Sequence, residues 1–386
     1  MVTPMNRHQR RQAKRVGRQK EKKEALAVDP RLRAARKAHE AGRYLEASSA
    51  YKSVLIDEPR NPEALHFSGL LCYQQGQSEE AEELLRKAIR VRPGVTMFHA
   101  NLANVLQFVG KNDLAEIEYK KAIRLDPSYI NAYLHYSVLL SNQQRFEEAE
   151  SMARRADSLQ PDKPETLNLL ATIARQIGDL SAAEKLLHRV FEVDPNFEKA
   201  YSNLIFVSDF KPNISFYEQQ SLRRRWADRF AAPLLPVNFA FSNEPDPEKR
   251  LRIGYVSGDF RAHSAQSAFG GVIFERDRSS FEVYCYMTSA NADSITERYK
   301  ASADKWRPCW GMNEKDLADK IRSDQIDILL DLSGHSEGGK LLTFARKPAP
   351  IQITAWGHCT GTGMPAMDYF FADELIVLSN ESELCA

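Results

Sequence analysis

The chain has 386 residues, and its 53 Lys and Arg so nearly balance its 52 Asp and Glu that no global field draws it to nucleic acid or to a membrane; the length itself calls for two or three domains. Five cysteines (Cys72, Cys285, Cys309, Cys359, Cys385) are odd in number and never pair as CxxC, which speaks against a disulfide framework or a zinc site and for a reducing, cytoplasmic setting. No apolar run approaches the roughly 18 residues of a membrane span, and the N-terminus has no signal-peptide core, so neither export nor membrane anchoring is expected.

Residues 5–24, "MNRHQRRQAKRVGRQKEKKE", are strongly basic with almost no apolar side chains. Such a stretch cannot pack, so residues 1–29 are expected to form a solvated, disordered leader; an electrostatic tether to nucleic acid is the weaker alternative.

A clock then starts. Pro59, Pro93, Pro127, Pro161 and Pro195 are spaced 34 residues apart, as are Ala47, Ala81, Ala115, Ala149 and Ala183. A fixed period of this length marks a helical solenoid built from helix pairs. In "EALHFSGLLCYQQGQSEEAEELLRKAIRVRP" the first helix carries Leu65, Leu70 and Tyr73 and breaks at Gly76, and the second runs to Val91 before Pro93 stops it. Gly69, Ala103, Ser137 and Ala171 recur at one phase of the first helix, where small side chains let the paired backbones approach. The pattern resembles the tetratricopeptide repeat over residues 30–208, as five units and an extra helix, "EKAYSNLIFVS". The turn glycines Gly42, Gly76, Gly110 and Gly178 have Gln144 in the missing place, so that turn is expected to need another geometry. Arrays of this kind bind an extended peptide on their concave face. Asn101 and Asn203 share a phase there and are candidates to hold a peptide backbone, although Phe67, His135 and Leu169 occupy the same phase in the other units.

Beyond Ser208 the period is lost. "FYEQQSLRRRWADRF" reads as a helix capping the array, and the four prolines of "AAPLLPVNFAFSNEPDPEKR" read as a linker, so residues 209–249 are assigned to cap and hinge. From Arg250 short apolar runs, "LRIGYV", "FEVYCYM", "IDILLDL", "PIQITAW" and "DYFFAD", alternate with helical stretches such as "NEKDLADKIRSD". Runs buried on both faces predict a parallel sheet in a doubly wound, Rossmann-like α/β domain over 250–386.

In such sheets ligands bind beyond the carboxyl ends of the strands. The polar residues gather in three segments there, "SGDFRAHS", "SGHSEGG" and "GHCTGTG", each combining glycines with a histidine and hydroxyls. Together they predict a crevice for a polar ligand, phosphorylated or sugar-bearing, lined by Ser257, Gly334, His335, Gly357, His358, Thr360, Gly361, Thr362 and Gly363. "GHCTGTG" matches neither GxGxxG nor a Walker loop, and no second ligand pair accompanies His358 and Cys359, so neither a nucleotide fingerprint nor a metal site is expected. Asp331 reads as an acceptor for loop amides. Asp259 and His263 are the candidates for chemistry: at i and i+4 of a helix start they would share a face, and histidine moves protons near neutral pH. The spacing leaves equally open that Asp259 caps the helix and His263 packs on the rim.

The runs "RLRIGYVSGDFRAHS", "FEVYCYM", "IDILLDLSGH", "FARKPAPIQITAWGH", "GTG" and "MDYFFAD", in this order, resemble the N-terminal half of the catalytic region of the O-linked N-acetylglucosamine transferases, glycosyltransferase family 41. The resemblance implies a GT-B enzyme of two Rossmann-like lobes that inverts the anomeric carbon as it transfers N-acetylglucosamine from UDP-N-acetylglucosamine to Ser or Thr of a protein. It implies no metal and no cofactor beyond that donor substrate. Asp259 and His263 match the acid and histidine of the family's "DF..H" motif, with the histidine a proposed general base, and the loops after "SGH" and from Gly357 to Gly363 match segments lining the sugar and acceptor crevice. The chain departs from the family where many members read Leu-Gly-Tyr-Pro-Gly, here "WGHCTGTGMPAMDY". It also runs through "LIVLSNESELCA" without the C-terminal lobe that in this family holds the uridine and diphosphate.

Two functions follow as expectations. One is a protein glycosyltransferase whose repeats recruit protein or peptide acceptors, inactive on its own, and either shortened from an active lineage or completed by a second chain that supplies the donor lobe; related transferases that use UDP-glucose keep the sugar open. The other is a non-catalytic interaction scaffold in which the α/β lobe is structural.

Overall fold

In the computed structural model, the residues described are 29–372, without 239, 245, 247, 337 and 357–360, together with residue 377. The expected leader lies outside them. Two compact units divide the chain between His135 and Tyr136.

The first unit is built of helix pairs. Helices α1 (Pro30–Glu40) and α2 (Tyr44–Asp57) form one, α3 (Pro62–Gln74) and α4 (Ser78–Val91) the next, and α5 (Thr96–Phe108) and α6 (Asn112–Leu125) the third, before α7 (Ile130–Asn142) runs into the second unit. Sequence chemistry sets their ends. The side chains of Asp29 and Asn61 accept the first free N–H groups, with Pro30 and Pro62 opening the helices they precede. The periodic prolines stand two residues past the last residue of each second helix. The alanine series is fully buried, and a Cβ at Gly69 would lie 3.0 Å from Leu85 and 3.2 Å from the Ala81 carbonyl, so the small residues do mark where paired backbones meet.

The second unit completes the array and continues into the sheet. Helices α8 (Phe146–Leu159), α9 (Pro164–Ile177), α10 (Leu180–Val193) and α11 (Glu198–Asp209) finish the repeats, with α11 the extra helix expected from the sequence. Gln144 corrects one expectation. Its φ is 61°, beside 73°, 80°, 77° and 94° at Gly42, Gly76, Gly110 and Gly178, so its turn keeps the common geometry. The reason lies in the backbone hydrogen bonds: Gln144 N donates to Ser141 O and Arg145 N to Leu140 O, as Gly76 N does to Tyr73 O and Gln77 N to Cys72 O. Closing the helix outweighs the roughly 1–2 kcal/mol that a side chain costs in a left-handed conformation.

Helix α12 (Phe216–Trp226) starts at a capping box made by Ser215 and Glu218, then widens through a π-turn at Ala227–Ala231 before tightening to a 3-10 turn at Ala232–Leu234. It is no free cap. Ile205, Trp226, Ala227 and Ala231 share one core with Val256, Tyr286, Leu317, Leu329 and Phe344, so the helices and one face of the sheet are a single packed body. The segmentation at 209–249 expected from the prolines is therefore not a break in packing: the hydrophobic side chains run through it.

Among the described residues the sheet has six strands, all parallel, in the order β3-β2-β1-β4-β5-β6. They are β1 (Leu251–Ser257), β2 (Phe281–Met287), β3 (Lys305–Pro308), β4 (Ile328–Asp331), β5 (Ile351–Ala355) and β6 (Tyr369–Phe371). Helices α13 (Gln266–Phe274) and α14 (Ser294–Ser302) cover one face, where Phe269, Ile273 and Tyr299 meet Ile253, Val283 and Leu330. Helices α15 (Glu314–Ser323) and α16 (Leu341–Phe344) cover the other. This is the doubly wound α/β domain the sequence predicts. Among the described residues no helix is long and apolar enough to cross a membrane.

Candidate functional site at the strand switch point

The order of strands reverses between β1 and β4, and in an open α/β sheet a ligand crevice forms outside the carboxyl ends of the strands that part there. The segments that leave β1 and β4 meet at that place. Ser257 and Ser333, both buried, bring their hydroxyls to 3.4 Å. Asp331, at the end of β4, accepts Ser333 N at 3.1 Å, Gly334 N at 3.0 Å and the Thr354 hydroxyl at 3.0 Å. It is the acceptor for loop amides the sequence suggests. Burial pushes its carboxyl above the ordinary range, and these donors only partly offset that.

A further segment joins them, which the sequence reading missed. Thr288, just beyond β2, donates its hydroxyl to Gly338 O at 2.9 Å, and Asp293 accepts Ala262 N at 2.8 Å while capping α14. The signal was present in Asp293 and Thr296, a capping pair three residues apart.

Asp259 and His263 face each other, but from a turn: α13 begins only at Gln266, because the intervening residues form bends and turns. The helix-start geometry expected of them is not the one observed. Ser257 Oγ accepts Asp259 N at 2.9 Å, so the carboxylate is aimed by its own backbone. Its oxygens lie 3.2 Å from Arg261 Nη2 and 3.8 Å from His263 Nδ1, the latter within ion-pair range and beyond a hydrogen bond. His263 Nδ1 accepts Ala265 N at 3.3 Å. A ring nitrogen that accepts carries no proton, so the neutral ring in this arrangement bears its proton on Nε2 and would donate there. To accept a proton at Nε2 it must shed the Ala265 bond and turn Nδ1–H toward Asp259.

The other expected crevice residues divide. Gly334 sits among the amides bound to Asp331. His335 turns away into the helices: it is buried, its Nδ1 is 3.2 Å from Ser202 Oγ, and its ring stands edge-on to Trp226 with centroids 4.7 Å apart. Gly357, His358 and Thr360 lie outside the described residues. Gly361, Thr362 and Gly363 are placed, and Thr362 is buried. Before them stands Trp356 with φ 55°, a strained conformation for a bulky side chain, braced against Phe371 with centroids 5.6 Å apart.

The run "RKPAPIQ" has a physical purpose. Lys347, buried, donates to Ala366 O at 3.0 Å and pairs with Asp368, whose carboxylate also accepts Gln352 N at 2.7 Å. Gln352 Nε2 reaches Phe344 O and Ala366 O, each at 2.9 Å. These side chains fasten the return from the glycine-rich segment to β6.

On the repeats, Asn101 and Asn203 each bond a first helix one unit earlier. Asn101 Nδ2 is 2.8 Å from His66 Nε2, and Asn203 Nδ2 donates to Asn168 Oδ1 at 2.7 Å. A separate cleft of about 740 Å³ lies among α10, α11 and α12, lined by Phe191, Tyr201, Leu204 and Tyr217. Its lining, from Glu184 to Arg229, includes none of the segments that follow the strands, so the chemistry is assigned to the sheet edge.

Residues 233–383 match the profile of glycosyl transferase family 41, while 38–105 and 143–205, and separately 98–129, match tetratricopeptide repeats. The chain is 32% identical over 188 residues to the Arabidopsis thaliana protein named "Probable UDP-N-acetylglucosamine--peptide N-acetylglucosaminyltransferase SPINDLY", covering 48% of this chain and 20% of that one. It is 36% identical over 132 residues to a Caenorhabditis elegans UDP-N-acetylglucosamine–peptide N-acetylglucosaminyltransferase, covering 32% of this chain and 11% of the other. Among solved structures, a mutant of the Thermobaculum terrenum O-GlcNAc transferase superposes with a TM-score of 0.71 at 32% identity, over 75% of this chain and 55% of that one. The match to the plant protein thus spans about a fifth of its length.

Proposed function

We propose that this chain belongs to glycosyltransferase family 41 and supplies the acceptor-facing half of a protein O-N-acetylglucosaminyltransferase. The observation that carries the reading is the convergence of the segments after β1, β2 and β4 on one crevice at the switch point, inside the region matching family 41. In the reaction, the oxygen of an acceptor Ser or Thr attacks the anomeric carbon of UDP-N-acetylglucosamine, the bond from that carbon to the diphosphate breaks, and UDP leaves with the electron pair. His263, turned onto Asp259, takes the hydroxyl proton. Holding the hydroxyl behind the anomeric carbon supplies much of the acceleration, and donors at the diphosphate supply the rest. The repeats bring the protein acceptor, the reaction uses no metal or further cofactor, and the setting is the cytoplasm.

The test is transfer from UDP-N-acetylglucosamine to Ser/Thr-containing protein acceptors. The 386-residue chain by itself is expected to stay at background, since the bacterial transferase it resembles is nearly twice as long as the matched part. With a donor-binding lobe supplied, transfer is expected, and His263→Ala is expected to slow it by about 10²–10⁴-fold. Transfer unchanged by that substitution would remove His263 from the mechanism. No transfer under either condition would leave the scaffold reading, which the helix pairs favour.

A further inference from the structure

We infer that Arg223 is a positioning residue that ties the last helix of the repeat array to the rim of the crevice. The inference rests on reading residues 361–363, beyond β5, as part of that rim. Arg223 lies inside α12 and is fully buried. Its Nη2 donates to both oxygens of Asp209, at 2.8 and 2.7 Å, and Asp209 is the last residue of α11. Its Nη1 donates to Gln219 O at 3.0 Å, and its Nε to Gly361 O at 3.2 Å. One planar fork therefore holds the array on one side and the rim on the other.

A buried cation is costly to desolvate, and packing alone would be served as well by an apolar side chain of similar volume. A guanidinium, unlike an ammonium, spans several acceptors in fixed directions, and this site uses that breadth. The rim is fitted to the helix in turn. A Cβ on Gly363 would lie 2.9 Å from Arg223 Cβ and 3.0 Å from the Arg224 nitrogen, so the chain passes α12 at backbone contact. The same helix grips the segment after β4. Trp226 Nε1 donates to Glu198 Oε1 at 2.7 Å, Ser202 Oγ donates to the same oxygen at 2.8 Å, and His335 packs on both Ser202 and Trp226. A shift of α11 is thereby passed to both rim segments through α12, with Arg223 the polar link to Gly361.

The experiment is hydrogen exchange on the full chain, following amides 364 and 366–368, where Met367 N and Asp368 N are hydrogen-bonded, against strand amides 252–257 and 282–287. In Arg223→Met, which keeps volume and loses the fork, exchange across 364–368 is expected to rise by about tenfold or more while both strands keep wild-type rates. Arg223→Lys is expected to restore part of the protection, since one ammonium serves either Asp209 or Gly361. Asp209→Asn, with the Gly361 bond intact, is expected to loosen the rim least. Unchanged exchange at 364–368 in Arg223→Met would overturn the inference, and so would a rise shared equally by the strands, which is what a merely structural arginine gives. If Arg223→Met does not fold, Arg223→Lys and Asp209→Asn are judged by the same contrast. Because exchange needs no substrate, failure to observe sugar transfer would sink the proposed reaction and leave this link standing.

Discussion

Replacing Gly363 by Ala separates two costs that the structure assigns to different places. Gly363 has φ 66° and faces α12 at backbone distance, whereas Gly178, with φ 94°, has open space where its Cβ would go. Both substitutions force an L residue into left-handed backbone, about 1–2 kcal/mol, partly offset by about 0.4–1 kcal/mol from a less free unfolded chain. Gly178→Ala is therefore expected to cost about 1 kcal/mol or less. Gly363→Ala adds a contact with Arg223 and Arg224 that no side-chain rotation relieves, and overpacking of this kind costs about 1–3 kcal/mol, so the sum is about 2–4 kcal/mol. Urea unfolding followed by tryptophan emission reads both, since Trp226, Trp306, Trp310 and Trp356 all lie in the same compact unit as the two glycines. The midpoints should separate while the slopes stay equal. Equal losses in the two variants would refute the claim that the rim is fitted against α12.

Gln144→Gly relieves left-handed strain without removing a buried contact and is expected to raise stability by about 1 kcal/mol, read from the same urea midpoint. Tyr299→Phe removes a buried hydroxyl that has no hydrogen-bond partner among the described residues, so thermal unfolding should show a stability unchanged or raised by about 1 kcal/mol. Burial, helped by the Arg36 charge, pushes His66 down from its ordinary 6.5 to about 4. The folded unit resists that proton, so the neutral ring's contribution is full above pH 6.5 and is lost as pH falls toward 4, by about 3 kcal/mol in all. His66→Gln should flatten the acid side of the stability profile; His99, raised above its ordinary value by the hydrogen bond it donates to Glu118, acts in the opposite sense and is left in place in both proteins.

The repeats were legible because their signal is redundant: each proline, turn glycine and buried alanine is restated every 34 residues, so one departure, Gln144, does not disturb the count. Its conformation was not legible, since hydrogen bonds that close a helix can hold a residue that propensity would exclude. Five strands announced themselves as apolar runs, but β3, "KWRP", did not. It is an edge strand of four residues with a lysine and a proline, the composition that keeps an edge from pairing further. In the site, Asp331 and the meeting of the loops after β1 and β4 followed from strand order, which alternation along the chain implies. His335 did not, because the side of a loop on which a ring packs depends on Trp226, more than a hundred positions away. Arg223 was equally hidden: in "SLRRRW" three arginines look alike, and only the fold buries one of them completely.

The core that Trp226 and Ile205 share with Tyr286, Leu329 and Phe344 makes the α/β lobe a poor cassette. A cut at Arg250, where composition invites one, would strip an apolar cover from the sheet and yield a sticky fragment, whereas a graft that begins at Glu198 would carry its own lid.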